Sequence, residues 1–79
     1  MVVIMESIHA LIETHFGVIY AGVIAGKIIQ NDTDYLVMQV SQDSGMQVLF
    51  PIDEIKLCIT DNHDVLTKDT LMAMEVIKL

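Results

Sequence analysis

Arginine is missing from this chain, and its four lysines face eleven aspartates and glutamates, a formal charge of −7 over 79 residues. Nucleic-acid binding relies on Lys and Arg to neutralise phosphates, and bidentate reading of bases relies largely on Arg. The composition argues against a nucleic-acid partner and, for the same reason, against an anionic membrane surface. Cysteine is almost absent. Cys58 stands alone, so no internal disulfide can staple the fold. A lone thiol fits a reducing compartment, and a cytoplasmic location is expected. Long hydrophobic runs are missing too: the longest uncharged apolar stretch, Phe16 to Ala25, falls well short of the roughly 20 residues a spanning helix needs. The first residues, Met1 to Glu6, carry no basic stretch, so no export signal is expected.

Apolar residues, in contrast, are plentiful: 53% of the chain is hydrophobic and the mean hydropathy is +0.56. Residues 1–79 make a single domain. A domain of this size buries only about 60% of the surface its unfolded chain exposes. Without a disulfide to help, oligomerisation is the expected supplement, and the expected partner is a second copy of the chain or another protein.

Ile4, Ile8, Leu11 and Ile12 form one stripe at helical spacing, with Glu6 and Glu13 opposite and Gly17 as a C-cap, which predicts an amphipathic helix over 4–16. Residues 18–30 are rich in β-branched side chains and predict a strand, in which Gly22 and Gly26 imply a bend, a bulge or a tight turn near Ala21-Gly22. Turn residues at 31–34 and 42–45 bound a second strand at 35–41. Strands at 46–50 and 56–60 flank a short helical turn at 52–55 that follows Pro51. Leu71 to Glu75 favour a helix over about 69–78, although Val76, Ile77 and Leu79 suit a strand equally. In the segment 18–29 both alternating faces are apolar, so a cover is expected on the second face as well.

A helix followed by short bent strands is the layout of a small SH3-like or Sm-like barrel. Gly26, Ile28, Asp32 and the run Tyr35-Leu36-Val37-Met38 match in spacing the first motif of the Sm/LSm family, which includes a bacterial Hfq-type branch. Met46 to Phe50 and Leu57 to Ile59 would match its fourth and fifth strands, so the chain resembles that family over roughly residues 4 to 60. The resemblance implies a barrel, and with it a ring. It does not carry RNA binding across. Leu36 stands where many members place a base-contacting asparagine, and Leu49-Phe50-Pro51-Ile52-Asp53 replaces the second motif's Arg-Gly or Tyr-Lys-His.

The residues that could carry chemistry are few. His9 and Glu13 would share a helix face and could hold a divalent metal with His15 or His63, against a plain i,i+4 pair on a solvated face. Asn31 to Asp34 and Asp61 to Asp64 cluster oxygens but lack a calcium loop's ligand count and glycine. Cys58 with His63 could suggest a nucleophile and base, but Cys58 sits within an apolar strand, where cysteine behaves as a small hydrophobe. No serine lies in a nucleophile elbow, and Gly26-Lys27-Ile28 is no phosphate loop. Met72 and Met74 could offer an adaptable surface or fill gaps.

The expectation is an α+β domain: an N-terminal helix, then a small bent antiparallel SH3-like or Sm-like β-barrel, then a C-terminal helix or strand. The expected function is a non-catalytic, homo-oligomeric structural or protein-interaction module without a cofactor or metal. Tyr35, Phe50, Pro51 and Ile52 are its candidate contact residues. The alternatives are an RNA-binding Sm-like ring using Lys27 and Lys56, and a small metal- or ligand-binding protein.

Overall fold

The computed structural model describes residues 8–40 and 45–77. Five strands, β1 (Ile8–Thr14), β2 (Ile19–Gln30), β3 (Thr33–Gln39), β4 (Gln47–Pro51) and β5 (Ile55–Thr60), form one antiparallel sheet in the order β4-β3-β2-β1-β5. A 3-10 turn (Ile52–Glu54) links β4 to β5, and a short helix, α1 (Lys68–Met72), follows.

The N-terminal helix expected over 4–16 is not there: Ile8–Thr14 is a strand, paired with β2 on one side and β5 on the other. Residues 4–7 of that expectation lie outside the described residues, as do 42–44 of the expected turn. Two ladders outweigh the helical stripe. Ala10, Ile12 and Thr14 alternate inward while His9 and Leu11 face out, so the working period is two. The inward set includes a small residue and a hydroxyl, which hides the alternation from a search for large apolar residues.

The expected barrel is also corrected. The sheet is open, with β4 and β5 on opposite edges. Part of β5's outer edge is taken instead by the following segment: Ile59 bridges Val65, and the Leu66 amide donates to the Cys58 carbonyl at 2.8 Å. Among the described residues the molecule is accordingly a β-sheet protein with one five-residue helix rather than an α+β barrel. That helix is half the length expected over 69–78. Thr67 caps it, and after Met72 the chain turns and Val76 pairs in parallel with Lys27.

The core lies on one side of the bent sheet: Ala10, Ile12, Ile24, Leu36, Met38, Phe50, Ile52, Cys58 and Leu71. Tyr20 packs edge-on against Phe50 with ring centroids 5.0 Å apart. Two devices shape β2. A register shift between Ile24 and Gly26 puts a bulge there, one of the three forms the two glycines implied. Asn31 and Asp32, both at positive φ, make the two-residue turn into β3.

Beyond the bulge, β2 has no partner from the described part of β1, and the C-terminal segment fills that edge. The Lys27 amide donates to the Glu75 carbonyl at 3.3 Å, and the Ile77 amide donates to the Lys27 carbonyl at 2.7 Å. The Ile77 side chain lies over Gly26, within 2.6 Å of where a Cβ there would sit. Gly26 pairs with Val37, which is buried. Ile77 thus supplies part of the cover that the two-sided apolar pattern of β2 requires.

Candidate functional site

The four expected contact residues divide between the two sides of the sheet. Phe50 and Ile52 are core residues, 4% and 2% exposed. Tyr35 and Pro51 are half-buried and sit opposite each other across β3 and β4. Proline beside aromatic residues reads as an exposed loop in sequence. Here Pro51 ends a strand and turns the chain so that Ile52 drops into the core.

The two lysines of the nucleic-acid alternative are not brought together. Lys27 is 6% exposed. Its ammonium bonds the Asp34 carboxylate at 3.0 Å and the Met72 carbonyl at 2.6 Å. Lys56 is exposed on β5, at the irregularity of the β1–β5 ladder and two strands away from Lys27.

His9 and Glu13 now lie on a strand, four residues and therefore about 13 Å apart. They cannot share an ion at that separation. Among the described residues no group of three His, Cys, Asp or Glu side chains is placed to hold a metal. Cys58 is buried in the core, and burial pushes its thiol above the ordinary range. A buried thiol with little thiolate is a poor nucleophile. An aromatic disulfide reagent is expected to modify Cys58 at least a hundred-fold more slowly in the native protein than in denaturant, followed by absorbance; comparable rates would mean that the core opens readily.

The feature that stands out is the sheet's outer face over β1, β2 and β5. Cross-strand partners share a face. Leu11 lies between Ala21 and Ile59, Glu13 between Ile19 and Leu57, and His9 opposite Val23. Ile19 is 59% exposed, Leu11 38%, and Ala21 is exposed as well. At one end of this face Leu11, Ala21 and Ile59 floor an open groove of about 530 Å³, with His9, Asp61 and His63 at its sides. At the other end the β1–β2 turn carries Phe16, 77% exposed.

That turn is well held. The Thr14 amide donates to the Val18 carbonyl at 2.9 Å, the Gly17 amide to the Thr14 carbonyl at 3.0 Å, and the His15 amide to the Glu54 carbonyl at 2.9 Å. The Val18 amide donates to Thr14 Oγ1 at 3.3 Å. Gly17 takes a positive φ of 82° that its lack of a Cβ permits.

Sequence reasoning places Phe16 at the end of a helix and misses it as a surface residue. A charge signal is present: no Asp or Glu occurs from Thr14 to Asn31, in a chain with eleven of them. No helix among the described residues is long and apolar enough to cross a membrane. Compared with known protein families, curated proteins and solved structures, the chain finds no match.

Proposed function

We propose that this chain is a non-catalytic protein-interaction module that associates with copies of itself through the outer face of β1, β2 and β5. The observation that carries the reading is the apolar surface around Leu11, Ile19 and Ala21, left open by the fold, with Glu13 between Ile19 and Leu57 as its one central charge. Contiguous apolar surface of this kind marks interaction sites, and the core of an interface is depleted in charged residues. The composition supports it too, because a small domain with 53% hydrophobic residues gains stability by sequestering what it cannot bury alone.

Light scattering across a dilution series tests this reading. A mass that is a multiple of 8.8 kDa is expected, with dissociation on dilution. Because each copy carries −7, added salt should screen the repulsion and tighten association. That sign is opposite to the response of nucleic-acid binding, which salt weakens. An 8.8 kDa monomer at every concentration and salt would overturn the proposal.

A further inference from the structure

We infer that the edge of β2 at Gly26 and Lys27 is a strand-acceptor site, and that residues 75–77 of a second copy take it by reciprocal exchange of C-terminal segments. The site lies beyond the bulge, apart from the surface around Leu11, Ile19 and Ala21. Three observations carry the inference.

The acceptor is built for this segment. Among the described residues the β1–β2 ladder ends at Ile24. Past that point the Lys27 amide donates to the Glu75 carbonyl, and the Lys27 carbonyl accepts from the Ile77 amide. Both main-chain groups of Lys27 are given to a strand added at the edge, which is how an extended peptide docks on an open sheet. Gly26, at φ +148°, leaves the hollow over which the Ile77 side chain lies. The same segment from another copy meets the same groups, so exchange needs no new surface.

The closed form is stretched. The Ala73 amide is still bonded to the Asp69 carbonyl of α1, and Val76 is already paired with Lys27. Only Met74 and Glu75 make the crossing. The rung next to this connector is long, 3.3 Å, while the far rung is 2.7 Å. Ordinary N–H···O bonds span about 2.7–3.2 Å. A short connector under tension favours exchange, because a segment arriving from another copy is free of it.

The surroundings of the connector are apolar and open. Met72 is 41% exposed and Val76 46%. An extended connector reaches only about 10 Å from Ala73 to Val76, so exchanging copies sit close and cover these side chains. Charge at the acceptor is unchanged, since Glu75 of the incoming segment replaces the acceptor's own Glu75.

Complementation tests the exchange. Ile77→Pro removes the donor of the short rung and the side chain over Gly26, which vacates the edge of an otherwise intact acceptor. Gly26→Ala fills the hollow and leaves an intact segment without a seat in its own copy. Neither variant alters Leu11, Ile19 or Ala21. Hydrogen exchange at the Lys27 amide is read in isotopically labelled Ile77→Pro. Excess unlabelled Gly26→Ala is expected to slow it at least ten-fold, while the same excess of unlabelled Ile77→Pro leaves it within two-fold. If Gly26→Ala does not fold, a synthetic peptide of residues 73–79 supplies the segment, at the on-the-order-of-millimolar concentration that a short tether provides. No slowing by the donor overturns the exchange. So does a Lys27 amide that is as protected in Ile77→Pro alone as in the parent. Either result leaves the self-association reading to its own dilution series.

Discussion

Gly22→Ala is expected to lower the melting temperature by about 10 °C, although it adds one methyl group to a strand. A Cβ at residue 22 would collide with the Gln39 carbonyl oxygen and sit 3.1 Å from both the Gln39 carbonyl carbon and Met38 Cγ. The first two of these are backbone atoms, locked by the pairing of Val23 with Gln39 and Ile24 with Met38. A flexible side chain could step aside, but this ladder cannot move without loosening β3 and the core residues it carries, Leu36 and Met38, both 0% exposed. Overpacking of a well-filled interior, backbone shifts included, costs about 1–3 kcal/mol. The methyl group's stiffening of the unfolded chain, about 0.4–1 kcal/mol, offsets only part of that. For a domain of 60–100 residues each kcal/mol moves the midpoint by roughly 4–8 °C. The check is thermal unfolding by circular dichroism at fixed protein concentration, since association also shifts the midpoint. Gly17→Ala is the comparison: φ is +82° there, but nothing lies within 4 Å of a Cβ, so only the backbone strain of about 1 kcal/mol is expected. Equal losses for the two would show that β3 does not approach Gly22 this closely.

The same close approach shows which parts of the fold are legible in the sequence. The strands after residue 18 are readable because their ends are marked by local chemistry: Asn31-Asp32 accept positive φ, and Pro51 cannot continue a ladder. Gly22 and Gly26 mark β2 as bent. What they cannot disclose is which neighbour comes close: Gln39 at one and Ile77 at the other. The first strand is misread because Ile8, Leu11 and Ile12 fit a helical stripe as well as a sheet. Only pairing with β2 and β5, which is tertiary information, decides between them.

The site is less legible for a related reason. Phe50 and Ile52 look like surface contacts because proline sits between them, yet the 3-10 turn sends Ile52 inward and the alternation of β4 does the same for Phe50. Phe16 looks like the last apolar residue of a helix until the helix is removed. Once residues 8–14 are a strand, the same sequence becomes a tight hairpin with its aromatic side chain in solvent. One wrong element therefore hides both the outer face and its most exposed residue.

Lys27→Met should destabilise the protein by about 2–3 kcal/mol and release the C-terminal segment first. The substitution keeps most of the apolar stem and deletes the charge. Lys27 Nζ joins β2, β3 and the end of α1: it donates to Asp34 at 3.0 Å and to the Met72 carbonyl at 2.6 Å. The side chains of the pair are 7% and 19% exposed. Removing one partner of a buried ion pair costs about 3–5 kcal/mol, because the other is left charged without compensation. Asp34 retains some water contact, which places this site below that range. Loss of the Met72 contact also leaves a helix-end carbonyl without its donor. The segment then keeps two backbone hydrogen bonds to β2, one of them long at 3.3 Å, and the packing of Ile77 over Gly26. Hydrogen exchange at the Ile77 amide should accelerate at least ten-fold more than exchange in the β1–β2 ladder. The double variant Lys27→Met with Asp34→Leu should recover more than half of the lost stability, since a buried pair replaced by apolar groups of similar volume is often neutral. If the double variant is as unstable as the sum of the two single variants, the ammonium and carboxylate are not coupled and the clamp does not exist. If Ile77 exchanges no faster, the segment is held by the packing of its own side chain over Gly26 rather than by Lys27.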